Sequence, residues 1–374
     1  MSTFARTDTS IVGRWWWTVD RWSLLAVVLL VSIGALLSLA ASPAVAERIG
    51  LESFHFARRH FAFLLPAGLI LVGMSMLSPR GVRRVAVLGL ACGLLFTAAT
   101  LVVGVEVKGA QRWLLLGGFS LQPSEFVKPC FAVVAAWLFA ARSDDEAPPS
   151  VAICGGLYAL IITLLLLQPD FGMTAVVTAV WFVQFFVAGL PMVWVIGLGL
   201  AAVGGAVTAY LTIPHVTSRV DRFLDPSSGD SYQIDRAMEA FNRGGLLGQG
   251  PGEGSVKNVL PDAHTDFIFS VAGEEFGLLA CLLIVGLFAF VTLRGILRLL
   301  REEDLFVLLA ATGLAALFGL QAVINIGVNL NVLPTKGMTL PFVSYGGSSL
   351  LATALGVGML LALTRRRPGG GGEP

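Results

Sequence analysis

LPDAHTDFIFSVAGEEFG, residues 260–277, joins a polar stretch to an almost wholly apolar one. It sets His264 and Asp266 at the junction and Glu274 and Glu275 about two helical turns deeper. The chain is 56% hydrophobic and only 13% charged, and carboxylates at membrane depth are costly enough to need a reason. One reason is local, because Thr265 or Asp266 can cap the helix that begins there. The other is functional, and these residues alone leave both readings open.

Working outward, the class follows from hydropathy. A mean hydropathy of +0.81 over 374 residues, with repeated continuous apolar runs of roughly 20 residues, predicts a polytopic all-α membrane protein. The runs do not alternate, which excludes a β-barrel. Ten spans are expected, at about 22–42, 60–78, 83–105, 125–142, 150–167, 171–189, 192–213, 267–293, 305–328 and 345–364. Spans five and six are separated only by Gln168-Pro169-Asp170, a tight hairpin or a broken helix. The first span is read as uncleaved: it is too long for a signal peptide, and Trp15-Trp16-Trp17 before it forms an interfacial anchor. A net charge of +1 gives no sign of nucleic-acid binding, and the four cysteines lack the CxxC spacing of a zinc site or any pattern suggesting disulfides.

Basic residues set the expected orientation. Arg6, Arg14 and Arg21, then Arg80, Arg83 and Arg84, then Arg294, Arg298 and Arg301, and finally Arg365-Arg366-Arg367 fall on one side for an even span count, so both termini are expected in the cytoplasm. Arg58 and Arg59 point the other way. The chain then divides into a cytoplasmic tail over 1–21, a membrane domain over 22–364 with a large outer loop over 214–266 between the seventh and eighth helices, and a second cytoplasmic tail over 365–374. This orientation gathers every polar, motif-like segment on the outer face. No matched, broken halves of the kind transporters use are visible.

The outer segments carry the candidate chemistry. Lys108-Gly-Ala-Gln-Arg112-Trp113 is basic and aromatic, and reads either as an interfacial amphipathic helix with a Trp anchor or as an anion-facing edge. Glu125 and Lys128 stand one turn apart after Gln122-Pro123, as a structural ion pair or with the lysine free for a lipid phosphate. The glycine-rich run over 242–254 lacks a nucleotide-binding ending and suits close backbone approach or a mobile loop. Gln321, Asn325 and Asn329 form a stripe that must face protein or a wet cavity, with helix–helix hydrogen bonding the expected role. Beyond it, Pro334 and Pro341 preclude a regular helix around Lys336 and Ser344.

Five blocks now stand in order: GAQRW (109–113), QPSEFVK (122–128), QPDFG (168–172), LPDAHTDFIFSVAGEEFG (260–277) and LPTKGMTLPFVSYGGSSL (333–350). Together they resemble the SEDS family (shape, elongation, division and sporulation) across essentially the whole membrane region. Pro334-Thr335-Lys336-Gly337 is similar to the division branch, FtsW, rather than the elongation branch, RodA. The resemblance implies a ten-span peptidoglycan glycosyltransferase that polymerises lipid II at the outer face of the bacterial cytoplasmic membrane, at the division septum. It also implies a class B penicillin-binding protein, the septal transpeptidase, as partner alongside other division proteins.

The family's catalytic carboxylate falls on Asp266. As a general base it would take the proton of the acceptor 4-hydroxyl as that oxygen attacks the donor's anomeric carbon. The leaving polyprenyl pyrophosphate gains charge, and Arg112, Lys128 and Lys336 are candidates to stabilise it. Trp113, Glu125, His264 and Ser344 complete the expected substrate-binding set. No ligand cluster demands a metal, although a divalent cation (Mg2+ or Mn2+) can share the neutralisation. Two other classes stand beside the enzyme: a non-catalytic division scaffold for the transpeptidase, and a lipid II flippase. The flippase predicts polar groups at the midplane and inner face, where this chain has only short loops.

Overall fold

The computed structural model describes residues 10–107, 110–143, 149–225, 232–335 and 337–366. Among them run thirteen α-helices: α1 (Ile11–Thr18), α2 (Arg21–Arg48), α3 (His55–Ser75), α4 (Pro79–Val103), α5 (Pro123–Ala140), α6 (Ser150–Leu167), α7 (Phe171–Val187), α8 (Met192–Thr212), α9 (Pro214–Leu224), α10 (Tyr232–Gly244), α11 (Ile268–Leu299), α12 (Leu305–Asn329) and α13 (Gly347–Leu363). Eight are long and apolar enough to cross a membrane, and α7 and α13 are shorter apolar helices. These ten are the spans expected from hydropathy, with ends shifted by a few residues. Local chemistry explains several boundaries. Ser78 accepts from Gly81 N at 3.2 Å with Pro79 in the first turn of α4, and Asp170 accepts from Met173 N at 3.2 Å to start α7.

Helix α5 forms the centre, packed by α4, α12 and α13 and buried on nearly every face. Its small residues Ala132, Ala135 and Ala136 let neighbours approach closely. Gln184 of α7 spans the resulting seam, donating to Ala132 O at 2.7 Å and Leu309 O at 3.0 Å. By contrast α8 buries only Val195 and turns its remaining apolar surface outward.

Three sequence expectations change. Residues 110–113 are not an interfacial helix, and Lys108 and Gly109 lie outside the described residues. Ala110–Leu116 is a strand, β2, between β1 (Val105–Val107) and β3 (Phe119–Leu121), in a small antiparallel sheet. The reason is the turn: Gly117 and Gly118 both take positive φ (56° and 87°) and close a two-residue hairpin with Leu116 paired to Phe119. Among its described residues the outer loop over 214–266 carries the helices α9 and α10. The expected caps fail too, because α11 starts one residue later, at Ile268, with Phe267 in the cap position and no side-chain cap. Thr265 Oγ1 instead donates to Asp262 O at 3.2 Å.

The glycine run serves close approach. Gly277 breaks α11 with φ 75°, and the chain over 245–250 fills the break. Gln249 N and Gly250 N donate to the Glu274 and Glu275 carbonyls at 2.9 and 3.0 Å, while Leu278 N donates to Gly245 O at 2.9 Å. A Cβ on Gly248 would lie 2.1 Å from Glu275 O, so only glycine fits.

Candidate active site

The outer ends of these elements enclose a cavity of about 640 Å³, large enough for a substantial ligand. Its wall takes Arg59 and Phe63 from α3, Arg112 and Trp113 from β2, Glu125 from α5, Asp170 before α7, Arg219 from α9, Asp266, and Gly337 and Tyr345 from the segment before α13. Asp266 is half-buried there. Its Oδ2 would lie 3.2 Å from a Cβ built on Gly337, so the carboxylate rests over the backbone next to Lys336. Lys336 itself lies outside the described residues, as do Lys108 and Gly109 of the GAQRW block.

The polar stripe on α12 secures this juxtaposition. Asn325 Nδ2 donates to Asp266 O at 2.9 Å and to Met338 O at 2.6 Å, joining the two segments that meet at the carboxylate. Asn329 Nδ2 also donates to Asp266 O, at 2.9 Å, while its Oδ1 accepts from Ser270 N and Oγ at 3.1 and 2.7 Å. Helix–helix bonding was the expectation for this stripe. It holds for Asn329 with Ser270, whereas Asn325 serves loop carbonyls.

Of the residues expected at the site, the cavity brings together Arg112, Trp113, Glu125 and Asp266. Arg112 is tethered: Nε donates to Gln168 O at 3.0 Å, Nη2 to Pro169 O at 2.5 Å, and Nη1 stands 3.5 Å from Asp170 Oδ2. It thereby ties the hairpin sheet to the α6–α7 turn. Lys128 is buried, 2.8 Å from Glu125 Oε2, and is not among the residues lining the large cavity. His264 packs its ring on Phe56 (4.3 Å) and Tyr345 (5.4 Å). Ser344 donates to Thr265 O at 2.6 Å and accepts from Leu340 N at 2.8 Å. Neither His264 nor Ser344 lines the cavity, so their visible work is to fix the Asp266 segment.

Glu274 and Glu275 turn out to be anchors for the outer loop. Glu274 accepts from Ser255 N (2.7 Å), Val256 N (2.7 Å) and Lys257 N (3.1 Å), and Glu275 pairs with the buried Lys257. Among the described residues no group of three or more His, Cys, Asp or Glu side chains converges as a metal site. Arg59 and Tyr345 were missed as wall residues. The signal for Arg59 was its basic charge in a short loop that runs against the positive-inside pattern.

The family model for FtsW, RodA and SpoVE, described as a cell cycle protein, matches residues 21–368. The chain belongs to this family. It is 50% identical over 367 residues to the probable peptidoglycan glycosyltransferase FtsW of Caulobacter vibrioides, covering 98% of this chain and 94% of that one. It is 37% identical over 366 residues to the Coxiella burnetii protein of the same name, covering 93% and 96%. A chain of a solved structure described as structural coordination of polymerization and crosslinking by a peptidoglycan synthase complex superposes with TM-score 0.75 at 30% identity, covering 92% of this chain and 97% of that chain. The rod shape determining protein RodA of Thermus thermophilus superposes with TM-score 0.68 at 29% identity, covering 92% and 96%.

Proposed function

We propose that this chain is a peptidoglycan glycosyltransferase that polymerises lipid II at the outer membrane surface during septal wall synthesis. The observation that carries the reading is Asp266, half-buried in the wall of a large outer cavity and set against the Gly337 backbone by Asn325. In the proposed step the acceptor 4-hydroxyl oxygen attacks the donor's anomeric carbon as its proton passes to the Asp266 carboxylate. The bond from that carbon to the diphosphate breaks, and polyprenyl diphosphate leaves with the electron pair. Cations of the cavity wall lower the barrier by facing the charge that develops on the leaving group, and Lys336 is assigned the same role from its place in the 333–350 block. Trp113 contributes an apolar face for a sugar ring.

A multi-pass membrane enzyme of this kind works beside the enzyme that crosslinks its product. A class B penicillin-binding protein is the proposed partner, supported by the likeness to a chain of a polymerising and crosslinking synthase complex. The decisive experiment incubates the purified chain, with and without that partner, with purified lipid II. Glycan strands from the chain or the pair, and none from the partner alone, are expected. Absence of polymer from both would leave the scaffold reading, and passage of lipid II across vesicles without polymer would point to the flippase. A divalent cation arriving with the diphosphate is an addition to this scheme, tested by whether a chelator stops polymerisation and Mg2+ restores it.

A further inference from the structure

Arg59 sits in the second turn of α3, at the outer end of a span, where the positive-inside rule gives an arginine no topological use. Its neighbour Arg58 is accounted for by an exposed ion pair with Glu52. Arg59 is different. Among the described residues it has no carboxylate partner, and its guanidinium stands beside the Tyr345 hydroxyl in the cavity wall. Both side chains line the same cavity as Asp266.

The pair is tied to the segment that carries Asp266. Tyr345 N donates to His264 O at 2.9 Å, and the Tyr345 ring meets Phe56 edge-on at 5.3 Å. Burial pushes the Tyr345 phenol above its ordinary range, with the Arg59 hydrogen bond and charge pulling back, so the hydroxyl keeps its proton and remains a donor. A guanidinium presents five N–H donors in a planar fork, and one phenol oxygen leaves most of that fork open to the cavity.

The other described cations around the site are committed elsewhere. Arg112 holds two carbonyls and Asp170, Lys128 is paired with Glu125, and Arg219 donates to Thr335 O at 3.3 Å and has further interactions. Arginine forks match phosphate oxygens two at a time, which a lysine cannot do.

We propose that Arg59, steadied by Tyr345, is an anion contact of the outer cavity that binds the diphosphate of a polyprenyl diphosphate-linked sugar beside Asp266. It rests on the glycosyltransferase reading for the identity of the ligand, while the anion site itself stands on geometry. A phospholipid headgroup offers the same phosphate chemistry, and the test separates the two.

The full-length chain in nanodiscs, as wild type, Arg59→Gln, Arg59→Lys and Tyr345→Phe, is titrated with undecaprenyl diphosphate and assayed on lipid II with its partner. Arg59→Gln should weaken undecaprenyl diphosphate binding roughly 10- to 100-fold, the span expected for losing a charge-assisted hydrogen bond. KM for lipid II should rise with it and the melting temperature should hold. Arg59→Lys should fall between Arg59→Gln and wild type, and it decides the matter if Arg59→Gln melts early. Tyr345→Phe should lose a smaller part of the binding. The proposal is overturned if Arg59→Lys or a stably folded Arg59→Gln binds as wild type does. It is equally overturned if the difference vanishes in nanodiscs made only of phosphatidylcholine, because the site would then be reading anionic lipid. Wild-type binding that depends on Arg59 without any polymer would leave the anion site standing and sink the enzymatic reading.

Discussion

Asp266 is a side chain whose backbone is held by others. Its carbonyl takes hydrogen bonds from Asn325 and Asn329, and the cap position of α11 belongs to Phe267. Exchanging the carboxylate for an amide therefore leaves these backbone anchors in place. Asp266→Asn should lower lipid II polymerisation about 10²–10⁴-fold with an unchanged melting temperature and unchanged partner binding. Activity within about tenfold of wild type would remove Asp266 as the base. Lys128 offers the contrasting case. With Glu125 buried beside it at 2.8 Å, Lys128→Met strands a carboxylate, and removing one partner of a buried pair costs about 3–5 kcal/mol. Lys128→Met and Glu125→Gln should thus both melt earlier in detergent. Lost activity at full stability in Lys128→Met would instead give that lysine a direct role with substrate.

At the scale of the element, α11 is interrupted where its sequence reads most like one continuous helix. The break at Gly277 persists because residues 245–250 supply the hydrogen bonds the helix forgoes. Below it, Glu274 closes three backbone N–H groups and Glu275 neutralises Lys257. Glu275→Ala leaves the Lys257 ammonium buried without its carboxylate and should cost about 3–5 kcal/mol, read as a lower melting temperature and easier proteolysis within 245–258. Gly277→Ala should be comparably damaging, since its Cβ would lie 2.4 Å from Gly248 N on backbone at φ 75°. In both variants loss of polymerisation should track loss of folded protein, unlike Asp266→Asn.

Across the whole molecule, an ionic cluster joins the ends of distant helices on the side opposite the cavity. Asp20, buried just before α2, takes Arg294 Nε at 2.6 Å, Arg298 Nη2 at 2.9 Å and Ser23 Oγ at 2.7 Å, and Arg298 also donates to Thr364 O at 2.9 Å. Burial alone would raise the Asp20 pKa, but the hydrogen bonds from Arg294 and Ser23 and the charges of both arginines outweigh it and hold the carboxyl below its ordinary value. A depressed folded pKa means that the stabilisation is fully present above the unfolded value of about 3.9 and is lost as pH falls through the folded one. Asp20→Asn should therefore melt earlier near neutral pH, by about 2 kcal/mol, and the gap from wild type should close only below about pH 4. Topology is tested at this scale as well. A reporter active only outside the cytoplasm should work when fused near Gly229 and fail after Pro368.

Ten spans, their order and the five outer blocks were legible in the sequence because hydropathy is additive along the chain and lipid leaves the backbone few alternatives. The place of Asp266 just before α11 was legible because its motif is local. The β2–β3 hairpin was not, since Leu114–Leu116 suits a helix or a strand and only the pairing of Leu116 with Phe119 decides. The division of labour among the cations was hidden for the same reason. Arg112, Lys128 and Arg59 look alike as charges, and what separates them is which partners they meet, some of them far away in sequence: Gln168, 3.0 Å from Arg112, and Tyr345 beside Arg59. Composition and periodicity determined that this chain is a helical membrane protein with its chemistry gathered at one surface. Tertiary packing alone decided which of those polar groups brace the site and which face the cavity, because a hydrogen bond made inside the fold removes a group from the ligand's reach.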